Sequence, residues 1–422
     1  MKIMVVGGGG REHAIIHKIK ENPKVETIYA VPGNGGMTEE AVLVPIGATD
    51  LDKICDFAAK ENIDFAVVTP DDPLVLGLVD RLESLRIPCF GPTKEAAILE
   101  GSKAFSKDLM RKYHIPTAAY ETFTDMNKAL AYVETCDIPV VVKADGLALG
   151  KGVLICETRE DAREAVISMM SDRIFGASGD CIVIEEFLEG PEVSVLSFTD
   201  GKTLIPMVSS MDHKRALDGD QGLNTGGMGT IAPNPYYTPE IAKQCMETIF
   251  RPTMEAMVAE GRPFSGCLYF GLMLTAKGPK VIEYNCRFGD PETQVVIPLL
   301  ESDLLDIMIH VSEGTLDQAD VRFAKDYACC VVMASKGYPT AYEKGFPITL
   351  SKTNGNVYVA GATRDEDGVL RTSGGRVLGV TERGETLQAA IQRAYGSVSQ
   401  IHFDNAFYRK DIGKRAMAAQ ED

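Results

Sequence analysis

Apolar residues in this chain come in two spacings that take turns. Residues 2–6, 27–31 and 65–68 are short runs dominated by Ile, Val, Met, Ala and Phe, closed by glycine, proline or threonine. Such runs read as strands buried on both faces. Between them, 11–20 places Ala14, Ile15 and Ile19 inward at helical spacing, and 51–60 forms a second helix. After Thr69, the turn Pro70-Asp71-Asp72-Pro73-Leu74 leads into a helix to about Leu85. Strand and helix in alternation predict a parallel sheet with ligand loops at the strand carboxyl ends. This α/β domain is expected at residues 1–101.

A long helix is expected over 93–113, carrying Glu100-Gly101-Ser102-Lys103 and ended by Ile115-Pro116. Residues 139–143 form a strand that ends on Lys143, and a glycine-rich turn over 144–153 leads into a second strand. A helix over 159–170 and a strand from Cys181 follow, and Glu192 opens the next strand after Gly190-Pro191. Residues 212–229 read as a polar loop, 238–260 as an amphipathic helix, and 266–274 with 280–284 as a hairpin around Lys277-Gly278. A helix reaches from beyond Glu301 to about Ser312. Residues 327–334 form a strand of a smaller C-terminal α+β domain, with a loop over 372–377 and a helix over 386–397. The remaining divisions are expected at 102–325 and 326–422, giving an α/β and α+β multidomain chain.

Composition narrows the function classes. A formal charge of −17 over 422 residues argues against a general nucleic-acid or membrane surface. Anionic small substrates stay open, because they meet only local lysines, arginines and helix ends. Ten cysteines without a Cys-x-x-Cys pair, and no histidine cluster, argue against structural zinc and for the reduced thiols of a cytoplasm. The chain enters its first strand without a basic-then-apolar leader, so no secretion signal is expected. No apolar run approaches the roughly 20 residues that span a bilayer.

Candidate chemistry gathers at residues 281–294. Glu283 and Asn285 sit two apart on a strand and therefore share a face. Both offer hard oxygen donors, suited to Mg²⁺ or Mn²⁺ carried by nucleotide phosphates. Arg287 and Asp290 follow at a turn marked by Gly289 and Pro291. The competing reading is a strand end with a surface ion pair. Gly7-Gly8-Gly9-Gly10 between strand and helix is a phosphate cradle by backbone N–H groups and helix dipole, although a tight turn explains the glycines equally well. It fails the dinucleotide pattern, because Glu12 stands where the last glycine belongs. The turn over 144–153 has Lys143 and Lys151 near its ends, which suits a triphosphate; a hairpin with solvated lysines is the alternative. The apolar edge at 181–188 suits adenine, and Glu192 suits ribose hydroxyls. The loop over 212–229 is either mobile or folded over a ligand.

Taken together, these segments resemble the phosphoribosylamine–glycine ligase family of ATP-grasp enzymes. The resemblance rests on Gly-Gly-Arg-Glu-His at 9–13, Pro-Gly-Asn at 32–34, Phe-Gly-Pro-Thr at 90–93 and Glu-Gly-Ser-Lys at 100–103. It continues through Lys-Ala-Asp-Gly-Leu-Ala at 143–148, Asp-His-Lys-Arg at 212–215, Asn-Thr-Gly-Gly-Met-Gly at 224–229 and the whole of 285–294. Gly-Gly-Arg-Val-Leu at 374–378 and Arg-Lys-Asp-Ile-Gly at 409–413 carry it to the C-terminal domain. The resemblance implies an ATP-grasp core with a lid at about 120–190, and a ligase of de novo purine biosynthesis. ATP, glycine and 5-phosphoribosylamine would give ADP, phosphate and N1-(5-phosphoribosyl)glycinamide through glycyl phosphate. It implies Lys103, Lys143 and Lys151 on the nucleotide phosphates, Glu185, Glu186, Phe187 and Leu188 around adenine, and Glu192 on ribose. Glu283 and Asn285 would hold Mg²⁺ or Mn²⁺. Gly9, Gly10, Arg11, Glu12, Gly33, Asn34, Asp212, Asn224, Thr225, Gly226 and Gly227 would bind the other substrates, and Lys214, Arg287 and Asp290 would act on the reacting groups. A cytoplasmic monomer is expected, without nucleic-acid or membrane partners.

Two positions depart from the family pattern. Thr69 replaces a glycine, so the substrate loop is expected to approach less closely. The strand at 266–273 lacks the acidic residue that ATP-grasp relatives commonly place there, so any second metal would lean on phosphates and water. An NAD-dependent oxidoreductase is disfavoured by Glu12, and a regulatory module without turnover by Lys143, Glu283, Asn285 and Arg287 together. Another ATP-grasp ligase or carboxylase remains the alternative, since the outer loops choose the acceptor.

Overall fold

The computed structural model describes residues 1–147, 152–350 and 355–421, which leaves Lys151 and the middle of its loop outside the described residues. The expected parallel sheet is present. Its five strands run in the order Val42–Leu43, Thr27–Pro32, Lys2–Gly7, Phe65–Val68, Cys89–Phe90. Lys2–Gly7 is central because both faces of it are covered: Ile3 and Val5 pack with Ile15 and Ile19 on one side, Met4 and Val6 with Ile54 and Leu78 on the other. The chain builds outward from this strand first to one edge and then to the other. That reversal opens a crevice beyond its carboxyl end, at Gly7–Gly10, where ligands of such sheets bind.

Two expected helices are each broken in two. Gly77, at φ +91°, separates Asp71–Leu76 from Leu78–Ser84. Ser102 separates Lys94–Gly101 from Lys103–Lys112 by adopting extended dihedrals. Its hydroxyl accepts from the Phe105 N–H at 3.1 Å and donates to the Asp145 carboxylate at 3.0 Å, so it caps a new helix. The break brings Glu100 and Lys103 to the lip of one cleft.

Two antiparallel sheets follow. Tyr120–Phe123, Ile182–Glu186, Val140–Ala144 and Val153–Cys156 form the first, backed by the helices Met126–Thr135 and Arg159–Met170. Leu204–Pro206, Glu192–Asp200, Ser265–Thr275 and Gly278–Asn285 form the second. In its last pair, Gly271 faces Glu283 while Leu272 faces Val281, so Ile282 is an extra, bulged residue beside the cleft. The helix expected over 238–260 is continuous but takes a π turn at Met246–Phe250, just before Pro252. A proline cannot donate to the ladder and crowds the carbonyl four residues back.

The polar loop expected over 212–229 is instead structured. Met211–Asp212 and Gly229–Ala232 join the sheet of Tyr327–Ser335 and Arg376–Gly384, and Arg215–Leu217 pairs with Gln221–Asn224 as a hairpin. Arg409, 1% exposed, holds this hairpin: its guanidinium donates to the Arg215 carbonyl and to Asp220, each at 3.0 Å. The C-terminal sheet is thus not made from residues beyond 325 alone. Leu387–Val398 covers one of its faces.

Candidate active site

A cleft of about 760 Å³ opens between the two antiparallel sheets and reaches Arg11 and Asp71, in the first turns of helices that follow strands of the parallel sheet. The lysine end is built on Ile182–Glu186. Glu185 Oε2 lies 3.1 Å from Lys107 Nζ and 3.0 Å from Lys143 Nζ, and Oε1 is buried without a hydrogen-bond partner among the described residues. Burial lowers the Lys107 amine to about 8, against the opposing pull of Glu185. Lys143 Nζ also donates to the carbonyl of the bulged Ile282 at 3.3 Å. Lys103 Nζ donates to the Gly146 carbonyl at 3.0 Å, and burial lowers its amine too. Glu186, Phe187 and Leu188 line this end, although the Glu186 carboxylate is engaged by the Ala119 N–H and Lys280.

Along the opposite wall, Lys214 Nζ lies 3.2 Å from Glu192 and 3.9 Å from Glu283. Glu192 raises the Lys214 amine well above its ordinary value. Burial pushes Glu283 upward, but Lys214, Lys143 and Lys103 together bring it below the usual carboxylate range. Glu283 and Asn285 both line the cleft, as their two-residue spacing predicts. Among the described residues no group of three or more His, Cys, Asp or Glu could hold a metal alone. Two oxygen donors on one strand face, beside lysines placed for phosphates, fit a magnesium-type ion whose other ligands are phosphate and water.

The far end is a guanidinium cluster. Arg287 lies 3.1 Å from Glu100, and Arg287 and Arg11 both donate to the Phe288 carbonyl, at 3.3 and 3.0 Å. Arg376 arrives from the C-terminal sheet, 3.2 Å from Asp290, and donates to the carbonyls of Gly226 at 2.8 Å and Asp290 at 2.9 Å. Burial raises Asp290, but Arg376 and Arg11 hold it below its ordinary value. Asp212 and Glu292 also face this space; burial raises both carboxyls, helped at Asp212 by the charge of Glu292 and at Glu292 by that of Asp290. Asn224, Thr225 and Gly226 line the cleft beside them.

Several expected substrate residues form the backing of the cleft instead. The Gly9 N–H donates to Glu12 Oε2 at 2.5 Å, and Glu12 Oε1 accepts from Arg11 at 2.5 Å. Glu12 therefore takes a helix-start amide that the sequence offers to a phosphate. Asn34 Nδ2 donates to the Gly8 carbonyl at 2.9 Å and the Val359 carbonyl at 2.7 Å, and Gly33 N–H to the Gly7 carbonyl, tying the loops together. A Cβ on Gly10 would lie 2.8 Å from Gln294, and one on Gly227, at φ +114°, 2.7 Å from Asp212. Thr69 turns its hydroxyl onto the Val6 carbonyl at 2.5 Å, pinning one strand to the next.

Glu100, Lys107, Glu292 and Arg376 carry no role in the sequence pattern, yet all four line the cleft. Glu100, Glu292 and Arg376 lie inside motifs quoted above. Lys107 lies one turn beyond Lys103 on the helix face that Lys103 opens.

A glycine-rich loop between antiparallel strands, facing a second sheet that ends in Glu-x-Asn, defines an ATP-grasp enzyme. Biotin carboxylase from Campylobacter jejuni has this fold at TM-score 0.76 and 14% identity, covering 96% of this chain and 92% of that one. Residues 1–100, 101–293 and 328–415 match the N, ATP-grasp and C domains of phosphoribosylglycinamide synthetase, so the chain belongs to that family. Phosphoribosylamine–glycine ligase of Clostridium acetobutylicum is 47% identical over 98% of this chain and 100% of its own length. The Pasteurella multocida protein of that name is 46% identical over the full length of both. The crystal structure of phosphoribosylamine–glycine ligase from Thermotoga maritima aligns at TM-score 0.87 and 34% identity, over 98% and 100% of the two chains. Membership makes the chain an ATP-dependent ligase of purine biosynthesis that uses a divalent metal. Among the described residues, no helix is long and apolar enough to cross a membrane.

Proposed function

We propose that the cleft joins glycine to 5-phosphoribosylamine with its two ends divided between nucleotide and phosphoribosyl group. The observation that carries this is the course of Gly278–Asn285. It passes from Lys143, on the Ile282 carbonyl, through Glu283 and Asn285 to Arg287. ATP would lie at the lysine end. Glu185 Oε1, buried and without a hydrogen-bond partner among the described residues, would accept from the adenine amine, and Glu192 would hold ribose. Lys103 and Lys143 would carry the phosphates, with Lys151 of the glycine-rich segment that follows Lys143 as the third lysine. Glu283 and Asn285 would hold Mg²⁺ or Mn²⁺, which when bound neutralises charge on the β- and γ-phosphates.

At the other end, Arg11, Arg287 and Arg376 present guanidinium groups suited to a phosphate monoester. A glycine carboxylate oxygen attacks the γ-phosphorus as ADP leaves; Lys214 offsets the charge that gathers there. The phosphoribosylamine nitrogen then attacks the acyl carbon, phosphate departs, and the nitrogen loses a proton. Asp212 and Glu292, both raised chiefly by burial, are suited to an ammonium group or that proton. Asp290 holds Arg376 in place. The protein's contribution is alignment and charge neutralisation. A division at 1–101, 102–325 and 326–422 and a monomeric cytoplasmic protein complete the reading. ADP release should require glycine and phosphoribosylamine together and yield the amide product by mass. Bicarbonate-dependent ADP release without glycine would favour the carboxylase alternative that the fold permits.

A further inference from the structure

Glu100 has no role in the scheme above. It lies in the last turn of Lys94–Gly101, 8% exposed, behind the end of Gly278–Asn285. Its two carboxylate oxygens receive donors from three consecutive residues. The Cys286 N–H donates to Oε2 at 2.6 Å, and the Arg287 guanidinium lies 3.1 Å from Oε1. With its amide nitrogen turned inward, Asn285 donates to Oε1 at 2.9 Å and to the Tyr284 carbonyl at 3.3 Å. The opposite amide orientation sets oxygen against acceptors and nitrogen against donors.

An asparagine side chain has one carbonyl oxygen and one NH₂ group. Once the NH₂ is committed to Glu100, Oδ1 is the atom left for the cleft that Asn285 lines. We propose that Glu100 is the positioning residue of the metal site. It turns the oxygen of Asn285, rather than its nitrogen, toward the divalent ion, and it fixes Arg287 in the same grip. This rests on the metal role given above to Glu283 and Asn285. Three donors converge on Glu100, so its own side chain must be acceptor-only. A glutamine there would bring an NH₂ of its own against one of them. Partners behind metal ligands act in this way, and their loss typically lowers metal affinity by about 10- to 100-fold.

The test reads Mn²⁺ binding to the full-length enzyme with ADP by electron paramagnetic resonance, beside ADP binding in EDTA and a melting curve. Glu100→Gln should weaken Mn²⁺ binding by about tenfold or more while ADP binding in EDTA is kept. Asn285→Asp, with Glu100 intact, should also weaken it, because a carboxylate cannot donate to Glu100 and is repelled by it. Adding Glu100→Gln to Asn285→Asp should then restore Mn²⁺ binding, reversing the sign of its effect. A residue that only pinned the Cys286 backbone would show no reversal. Unchanged Mn²⁺ affinity in Glu100→Gln overturns the inference. So does tighter binding in Asn285→Asp, which decides the matter should Glu100→Gln not fold. Glu283→Ala is the control: if it binds Mn²⁺ like the wild type, the metal site itself is misassigned, whereas its loss beside an unaffected Glu100→Gln removes only the inference.

Discussion

Glu185→Gln probes the lysine end of the cleft through its stability. Glu185 Oε2 is shared by Lys107 and Lys143, and all three side chains are at most 5% exposed. Removing one partner of a buried pair costs about 3–5 kcal/mol when the remaining charge stays buried and unpaired. Lys107 has a way to limit that loss, which is to give up its proton. Burial already holds its amine at about 8, below the ordinary 10.5, with Glu185 opposing the fall. Without Glu185 it should reach about 6, a value that buried lysines attain. Each unit is worth about 1.4 kcal/mol, so the further two units amount to about 3 kcal/mol. The sign follows from proton uptake. The unfolded lysine keeps its proton to well above both folded values, so folded stability falls as pH drops toward the folded value. In the wild type that loss is complete near pH 8; in the variant it continues to about pH 6. The loss of the Lys143 pair is common to every pH, so the gap between the two should widen by about 3 kcal/mol as pH falls from about 8 to about 6. Urea denaturation of the nucleotide-free enzymes across that interval measures it. A gap that stays the same from pH 8 to pH 6, or narrows, would refute this account of Lys107.

Gly9→Val should raise KM for phosphoribosylamine much more than KM for ATP. Gly9 sits at φ −92°, so its backbone accepts a side chain, but a Cβ would lie 2.8 Å from Glu12 Oε2 and 3.3 Å from Asp290 Oδ2, at the guanidinium end. A well-folded variant that lost ATP affinity and kept phosphoribosylamine affinity would reverse the assignment of the two ends. Gly7→Ala should instead show a folding defect by melting temperature, since Gly7 is at φ +125° with the Glu12 side chain 2.5 Å from the added Cβ. His213→Gln should flatten the acid side of the stability profile. Burial, then Arg409, lowers the imidazole to about 4, while its Nδ1 faces the Gly229 carbonyl and Nε2 accepts from the Gly413 N–H. The neutral ring is favoured in the fold, so stability drains as pH falls from 6.5 through about 4, by about 3 kcal/mol in all. Equal slopes for variant and wild type over that range would count against it.

Local spacing was enough for the strands and for one wall of the site. Lys2–Gly7, Thr27–Pro32 and Phe65–Val68 show as apolar runs ended by residues that stop a strand, and this needs no partner to be known. Glu283 and Asn285 share a face because a strand alternates, which is again a property of the backbone alone. The order of motifs along the chain was equally a matter of sequence, and it pointed to the family. Ser102 was different. Its break depends on Asp145, whose carboxylate also takes the Ala104 N–H at 2.7 Å, and nothing near residue 102 announces an acceptor 43 positions away. Glu12 reads as a charge near a phosphate loop until the folded helix start brings its carboxylate onto the Gly9 N–H. Asn34 is drawn off the cleft by the Val359 carbonyl, and Arg376 is brought into it by a sheet that begins far along the chain. Periodicity and turn residues act over a few positions, and they were enough to place the strands of the parallel sheet and the segments that carry the chemistry. Which segments pair across the chain, which polar groups face the cleft and which hold its walls follows from the folded whole, because each such group is satisfied by a partner that distant parts of the chain deliver.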